Sequence, residues 1–336
     1  MTLGEIAQKL NLSTATVSRA LSRPDLVAEE TRERVLTAVK AYGYTPNAIA
    51  RSLKQGSTNT LGVIVSDIQN PFYATVVRAI EQFASQHGYS CIVCNADEDP
   101  QKEEQAFGLL SELQVSGVIH ASTGMSLDVL ERRQREGFII IDIDRYSGLK
   151  NVDAVTVDNV LGASLAGQHL LELGHKQIAV ITGPLHLSTG FERLKGFENA
   201  LEQAGVDLPS RYIQVGTFRE SSGYEAALAL LDLREPPTAL FTANNEMMAG
   251  ALAAIREREL KIPDDISLIS FDDVRWARYI ESPLTVVAQP AEDLGVTAAR
   301  LFFERLQGRS EVVREVLLPH LIVRDSCTEP RLATAR

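Results

Sequence analysis

The sequence predicts an α/β protein in which a small N-terminal all-α helix-turn-helix headpiece precedes a body of two parallel-sheet lobes. Three observations carry that expectation. The first 57 residues hold only helical signals and a net charge of +3, from eight Lys/Arg against five Asp/Glu. From Leu61 onward, short apolar strands alternate with amphipathic helices, the pattern of parallel sheets joined by right-handed crossovers. The alternation runs through two successive sets, which implies two similar lobes.

The headpiece reads from Thr2 to Leu21. Thr2 and Glu5 form a T-x-x-E capping box ahead of an apolar face of Leu3, Ile6, Ala7 and Leu10. Asn11-Leu12 is a tight break, and Ser13 is placed to cap the next helix. In that helix Val17, Ala20 and Leu21 face inward, which leaves Thr14, Ala15, Ser18 and Arg19 outside. Small residues at the start of a short helix, with an arginine one turn later, suit insertion into a DNA major groove. A third helix over 32–42, with Val35, Leu36 and Val39 at helical spacing, closes the small core and stops at Gly43. Pro46 then starts a short helical stretch over 47–53, and the polar run 55–59 reads as a flexible linker. A helix that short is marginal in water, so it should order only against DNA and a second subunit.

In the body, strands are expected over 61–66, 90–94, 117–120 and 138–143, with helices over 72–86, 101–114 and 127–136 between them. A second set of strands follows over 154–157, 178–181, 212–215, 239–241 and 267–270, with helices near 160–173, 193–204, 222–231 and 246–257. Ligands in such folds bind beyond the carboxyl ends of the strands, so two facing lobes create a cleft. Polar residues fall at those ends. Asp67 and Asn70 follow the first strand, Asp144-Arg145 the fourth, Asn244-Asn245 follow Phe241, and Asp272-Asp273 follow Phe271. Arg193 is expected to open a helix after the loop Gly183-Pro184-Leu185. Short carboxamides and carboxylates beside a planar donor fork suit a polyhydroxylated ligand, whose hydroxyls each need a partner. Phe72, Phe218 and Trp276 are the candidates to cover the apolar face of a sugar ring, with Trp276 as a plain lobe-surface residue the other reading. Asp144 either meets the ligand or holds a loop. Asp273 reads as a cap or a lobe–lobe contact. Arg145 and His186 either meet an acidic group on the ligand or are solvated surface residues.

The segment 2–21, the run Val27-Ala-Glu-Glu-Thr-Arg-Glu-Arg-Val35 and the stretch Gly43-Tyr-Thr-Pro-Asn-Ala-Ile-Ala-Arg-Ser-Leu-Lys54 resemble the LacI/GalR family of bacterial transcription repressors. The P-N-x-x-A-R-x-L signal directly after a helix-turn-helix is the most specific part, and the resemblance covers nearly the whole chain. It implies a periplasmic-binding-protein-like effector domain in which the chain recrosses near Gln289-Pro290 and the helix over 292–307 returns to the first lobe. The implied domains are a headpiece at 1–45, a hinge helix and linker at 46–59, an effector-binding and dimerisation domain at 60–328, and a tail at 329–336. Lobe 1 then spans about 60–158 and 290–318, and lobe 2 about 159–289 and 319–328.

The resemblance also implies partners and sites. Thr14, Ala15 and Arg19 match base-reading positions: the arginine suits a guanine O6/N7 edge, and Thr14 and Ala15 offer methyl contacts to a thymine. Ser13, Thr16, Ser18 and Asn47 would bond phosphates, which fix register. Ala50 and Leu53 lie in the hinge helix. Leu53 matches the leucine that wedges into the central minor groove and kinks the duplex; the other reading is a buried linker residue. A homodimer on a palindromic operator pairs the two hinge helices. No leucine heptad follows Arg324, so the tetramerising tail of some members is not expected. Phe72-Tyr73, Asp144, Thr189, Arg193, Phe218, Asn244, Asp272 and Gln289 match effector-contacting positions. Purine-binding members place an arginine where Leu187 stands and a glycine in place of Asn244. Leu187 offers no donor to a purine carbonyl and Asn244 offers both a donor and an acceptor, so a sugar is favoured. Phe72-Tyr73 and the segment 272–279 resemble purine-type members and keep the purine alternative open.

Composition bounds the rest. At 336 residues, 45% apolar and 23% charged, the chain suggests two or three ordinary globular domains. The whole carries −11, so the body carries −14; a basic head on an acidic body directs only the head to nucleic acid. Cys91 and Cys94 form a C-x-x-C inside an apolar strand with no second pair to complete a metal site, and with Cys327 they read as buried free thiols in a reducing cytoplasm. No secretory signal and no apolar run of about 18 residues is present, which argues against a periplasmic carrier and against a membrane partner. No nucleophile elbow, phosphate loop or metal quartet appears, so neither catalytic residues nor a cofactor or metal is expected.

Overall fold

The computed structural model describes residues 2–22, 24–43 and 58–331. The chain separates into two units, Met1–Thr58 and Asn59–Arg336.

In the first unit, α1 (Leu3–Leu10) opens on the expected box: the Thr2 hydroxyl accepts from the Glu5 N–H at 3.3 Å, and the Glu5 carboxylate accepts from the Thr2 N–H at 2.8 Å. It ends at Asn11, whose left-handed φ of 54° turns the chain. Ser13 Oγ caps α2 (Thr14–Ser22) by accepting from the Thr16 N–H at 3.0 Å. Helix α3 (Glu29–Ala41) starts three residues before the expected position, and Arg34 ties it to the Leu10 carbonyl. Ile6, Ala7, Val17, Ala20, Val35 and Ala38 form the core, with Leu3, Leu10, Leu12 and Leu21 packed around it. The hinge helix and its Asn47, Ala50 and Leu53 lie outside the described residues.

The second unit has two six-stranded sheets. The strands are β1 (Thr60–Val65), β2 (Ser90–Asn95), β3 (Gly117–His120), β4 (Ile139–Ile143), β5 (Asp153–Val157), β6 (Ile178–Thr182), β7 (Ile213–Val215), β8 (Ala239–Thr242), β9 (Ser267–Phe271), β10 (Thr285–Ala288), β11 (Arg314–Leu317) and β12 (His320–Ile322). The helices are α4 (Pro71–Gln86), α5 (Pro100–Glu112), α6 (Leu127–Arg135), α7 (Asn159–Glu172), α8 (Ser188–Gln203), α9 (Glu220–Leu231), α10 (Asn245–Glu257) and α11 (Ala291–Leu306). The first sheet runs β11-β5-β4-β3-β1-β2 and is parallel throughout. The second runs β12-β10-β9-β8-β6-β7, parallel except for β12. In each the strand order reverses at its first strand, β1 or β6, which opens a crevice at the carboxyl ends.

The chain passes between the sheets after β5, after β10 and between β11 and β12. The pattern-based grouping of 154–157 with the second set is corrected: β5 pairs with β4 in the first sheet. Its anchor is Asp153, a buried carboxylate clamped by Arg305 from α11 and by Arg309, which ties the strand to first-lobe structure that arrives only 150 residues later. Helices pack closely where glycine allows it; a Cβ at Gly295 of α11 would stand 2.5 Å from the Val76 carbonyl of α4. Cys91, Cys94 and Cys327 are free, and half-buried rather than buried. None of the described helices is long and apolar enough to cross a membrane.

Candidate functional site

The outer face of α2 carries the nucleic-acid candidates. Ser13, Thr14, Ala15 and Arg19 are exposed, while Thr16 and Ser18 are half-buried. The capping bond fixes Ser13, whose Oγ also lies 2.8 Å from the Thr16 hydroxyl. Capping and phosphate contact are compatible, because a hydroxyl has one proton to give and two lone pairs.

The two lobes face each other across a narrow cleft. Its walls bring together Asn70, Phe72, Tyr73, Asp144, Thr189, Arg193, Phe218, Asn244, Asp272 and Gln289, residues separated by up to 219 positions in sequence. Trp276 is not among them. After Asp273 the chain enters a short 3-10 turn, Arg275–Arg278, whose Val274 and Ala277 neighbours sink into the second-lobe core. Trp276 is thereby left on the outside, 38% exposed, and the sugar-stacking expectation for it is corrected. His186 is exposed, whereas Arg145 is buried in the cleft.

Backbone geometry marks the same place. Among the described residues, eight non-glycine residues have positive φ. Asn11, Gln114 and Glu259 end helices, where that conformation is routine. The other five are Asp97, Glu98, Asp144, Phe218 and Asp272, all at the cleft or its rim. A left-handed side-chain-bearing residue costs roughly 1–2 kcal/mol, and such strain collects where a ligand site needs a fixed geometry.

On the first-lobe wall, Asp144 follows β4 and accepts from the Tyr73 hydroxyl at 2.7 Å. Burial pushes the Tyr73 phenol well above its usual range and keeps it a donor, although the Arg145 charge pulls the other way. Asn70 caps α4 through the Phe72 N–H at 2.9 Å. On the second-lobe wall, Arg193 lies in the second turn of α8, not at its start: the helix begins at Ser188, five residues earlier than expected. Its Nε donates to Asn159 Oδ1 at 2.8 Å and its Nη1 to the Ala243 carbonyl at 2.6 Å, and the guanidinium covers Phe271. Nη2 points across the cleft to Asp144, 4.0 Å away. Asp272 follows β9 and accepts from Gln289 Nε2 at 2.5 Å. Burial raises the Asp272 pKa, against the lowering effects of Arg193 and Gln289.

Asn244 lines the cleft and also braces the second lobe. Its Oδ1 caps α10 through the Met247 N–H at 2.9 Å, and its Nδ2 donates to the Phe218 carbonyl at 3.1 Å. Each end of the amide makes one bond to the protein, which leaves its second N–H and its second lone pair for a ligand on the wall. Leu187 is buried in the second-lobe core and is not on the cleft wall. Phe218 needs Gly183 beneath it, because a Cβ there would run into the ring. Three buried polar atoms on the walls have no hydrogen-bond partner: Thr189 Oγ1, Gln289 Oε1 and Arg145 Nε.

Sequence reasoning missed Glu98, which joins the wall from the loop after β2 and holds Arg145 in a bidentate pair at 2.7 and 2.8 Å. The rule that picked out Asp67 and Asp144, polar residues just past a strand, also covers Glu98. It missed His120 as well. That imidazole is fully buried behind the wall, between Glu103 and Asp142, each at 2.8 Å.

Comparison with known proteins agrees with this architecture. Residues 2–47 match the family of bacterial regulatory proteins of the lacI type, and residues 168–327 match a periplasmic binding protein-like domain. The HTH-type transcriptional repressor PurR of Haemophilus influenzae (strain PittEE) is 34% identical over 332 residues, covering 97% of this chain and 98% of that one. The transcriptional regulator CelR in complex with cellobiose superimposes with a TM-score of 0.75 at 32% identity, over 97% of this chain and 99% of its own. The lac repressor dimer bound to operator and the anti-inducer ONPF gives a TM-score of 0.86 at 27% identity, over 98% and 99%. With a helix-turn-helix unit, a two-lobed α/β body and relatives that match from end to end, this chain belongs to the lacI family of bacterial regulatory proteins and is a DNA-binding transcriptional repressor.

Proposed function

We propose that the cleft binds a sugar or an uncharged sugar derivative, and that its occupancy controls operator binding by the headpiece. The observation that carries the effector class is the surplus of acceptors. Asp144 and Asp272 are buried carboxylates on opposite walls, each with lone pairs left over, and Gln289 Oε1 is unpaired. A polyol supplies many O–H donors to such a surface. A nucleobase offers fewer donors, a ring N–H or two and at most one amine, alongside carbonyl and ring-nitrogen acceptors that this surface does not match. The solved CelR complex holds cellobiose on the same fold, which supports the reading. The roles argued above for Tyr73, Thr189, Arg193 and Phe218 follow from it.

On the DNA side, Thr14, Ala15 and Arg19 read bases, and Ser13, Thr16, Ser18 and Asn47 hold phosphates, with Ala50 and Leu53 acting through the hinge. The protein acts as a homodimer on a palindromic operator in the cytoplasm. Ligand and DNA sites are coupled by the angle between lobes, so each changes the other's affinity by the same factor.

A thermal melt against pentoses, hexoses, sugar acids, sugar phosphates and purines tests the effector class. At a hundredfold excess over Kd a ligand adds ~2.7 kcal/mol, enough for a clear rise in the midpoint. A rise with neutral sugars supports the proposal. A rise only with hypoxanthine or guanine replaces it with the purine reading.

A further inference from the structure

Resting on the reading of the cleft as the effector site, we propose that Glu98 is the specificity-determining residue that reserves it for uncharged ligands. A buried arginine on the wall of a ligand cleft is ordinarily an invitation to a carboxylate or phosphate, since its fork matches either one bidentately. Arg145 is such an arginine, and both of its donor edges already face carboxylates. The end of its fork, Nη1 and Nη2, is held by both oxygens of Glu98. Its side edge, Nε, has no hydrogen-bond partner but faces Asp144 Oδ2 at 3.6 Å, so an anion arriving there meets a carboxylate. Its flat face covers the Phe218 ring at 5.0 Å.

The other cleft arginine offers no substitute. Arg193 has Nε and Nη1 committed to Asn159 and Ala243, which leaves Nη2 alone toward the cavity. Three carboxylates, Glu98, Asp144 and Asp272, stand against these two guanidiniums on the wall. A neutral polyol adds no charge to that surplus; an anion adds one.

Glu98 is also held in place with unusual firmness. It sits with Asp97 in a pair of consecutive left-handed residues, at φ 52° and 54°, and its N–H is bonded to the Ser66 carbonyl at 2.7 Å at the end of β1. Its side chain is 11% exposed. Backbone strain that serves to aim one carboxylate at one guanidinium has a reason if that pairing sets what the cleft accepts.

The test is a ratio of affinities, which a general loss of structure does not move. Binding of ribose and ribose 5-phosphate, and of glucose, gluconate and glucose 6-phosphate, is measured by calorimetry on the full chain, with inorganic phosphate as competitor. The wild type should prefer the neutral member of its best-bound group. Glu98→Gln and Glu98→Ala should shift the anion-to-neutral ratio toward the anion by about tenfold or more, and inorganic phosphate should begin to compete. A ratio unchanged in both variants, or a wild type that prefers the charged member, overturns the role of Glu98. Arg193→Ala separates that failure from failure of the site itself: if neutral-sugar binding survives it, the effector lies elsewhere and both readings fall.

Discussion

Arg219 of the second lobe reaches across the rim of the cleft to Asp97 of the first, donating from Nη2 to the Asp97 carbonyl at 2.5 Å and to its carboxylate at 3.0 Å. The Tyr146 N–H likewise reaches Ser188 Oγ at 3.3 Å, again from lobe to lobe. The pair at the rim touches no proposed ligand atom, so it acts on the closed state alone. Both side chains are partly exposed, which limits the pair to about 1 kcal/mol or less. Arg219→Ala should therefore weaken effector binding by about twofold to fivefold. X-ray scattering of the ligand-free variant should give a larger radius of gyration. Unchanged affinity and radius would show that the rim pair does not bias closure.

Gly183→Ala tests how Phe218 is seated. The added methyl would run into a ring that is 3% exposed and has Arg145 against it, so the ring has little room to retreat. Overpacking of this kind costs about 1–3 kcal/mol. The expected result is a lower melting midpoint together with at least a tenfold loss of effector affinity, since Phe218 and Arg145 both shift. Affinity equal to wild type would mean that neither side chain bears on the ligand.

Removing the Ser13 hydroxyl separates its two roles. Ser13→Ala loses the cap on α2, at about 1 kcal/mol of headpiece stability. Ser13→Asp keeps a capping oxygen but places a negative charge where a phosphate would lie. If Ser13 contacts DNA, the aspartate variant should melt like wild type yet bind operator more weakly than the alanine variant, and it should show a shallower salt dependence. Equal operator affinity in the two variants assigns Ser13 to capping alone.

What the sequence discloses depends on how local the signal is. The Thr2–Glu5 box and the Ser13 cap are contacts between residues three apart, so they were legible. The strands of both cores read as apolar runs for the same reason. Arg193 was misplaced within its helix because the first turn of α8 contains Thr189 and Gly190, poor helix formers that read as loop. β10 and β12 are four and three residues long and lie beside Pro283, Pro290 and Pro319, which hid them. The cleft residues could be chosen one by one from their places after strands, but their partners could not. Nothing local says that Asn244 reaches the Phe218 carbonyl, that Glu98 closes on Arg145 47 positions away, or that Val274 and Ala277 turn Trp276 outward.

His120 makes the first lobe sensitive to alkali. The ring is fully buried, and burial alone would strip its proton. Hydrogen bonds to Asp142 and Glu103 outweigh that and raise its pKa to about 9, from 6.5 for a free histidine. Its bond to the imidazolium also helps lower the Glu103 pKa, despite burial. The same carboxylates hold the loops that lead to the cleft: Glu103 accepts from the Thr123 N–H and hydroxyl, and Asp142 from the Ser147 N–H and hydroxyl, three residues beyond Asp144. A group whose folded pKa lies above its unfolded value stabilises fully below the unfolded value and loses that contribution as pH rises through the folded one. The His120 contribution, on the order of 3 kcal/mol, is thus complete below about pH 6.5 and is lost as pH climbs past 9. The Glu103 contribution has the opposite sense, present above its unfolded pKa of 4.5 and lost on acidification. Chemical denaturation of the wild type should show stability falling between pH 6.5 and 9.5. His120→Gln should be less stable at pH 6.5, because two carboxylates lose their cation, and should show a flatter dependence over that range. A wild type and variant that fall in parallel would mean that His120 is not charged in the folded protein.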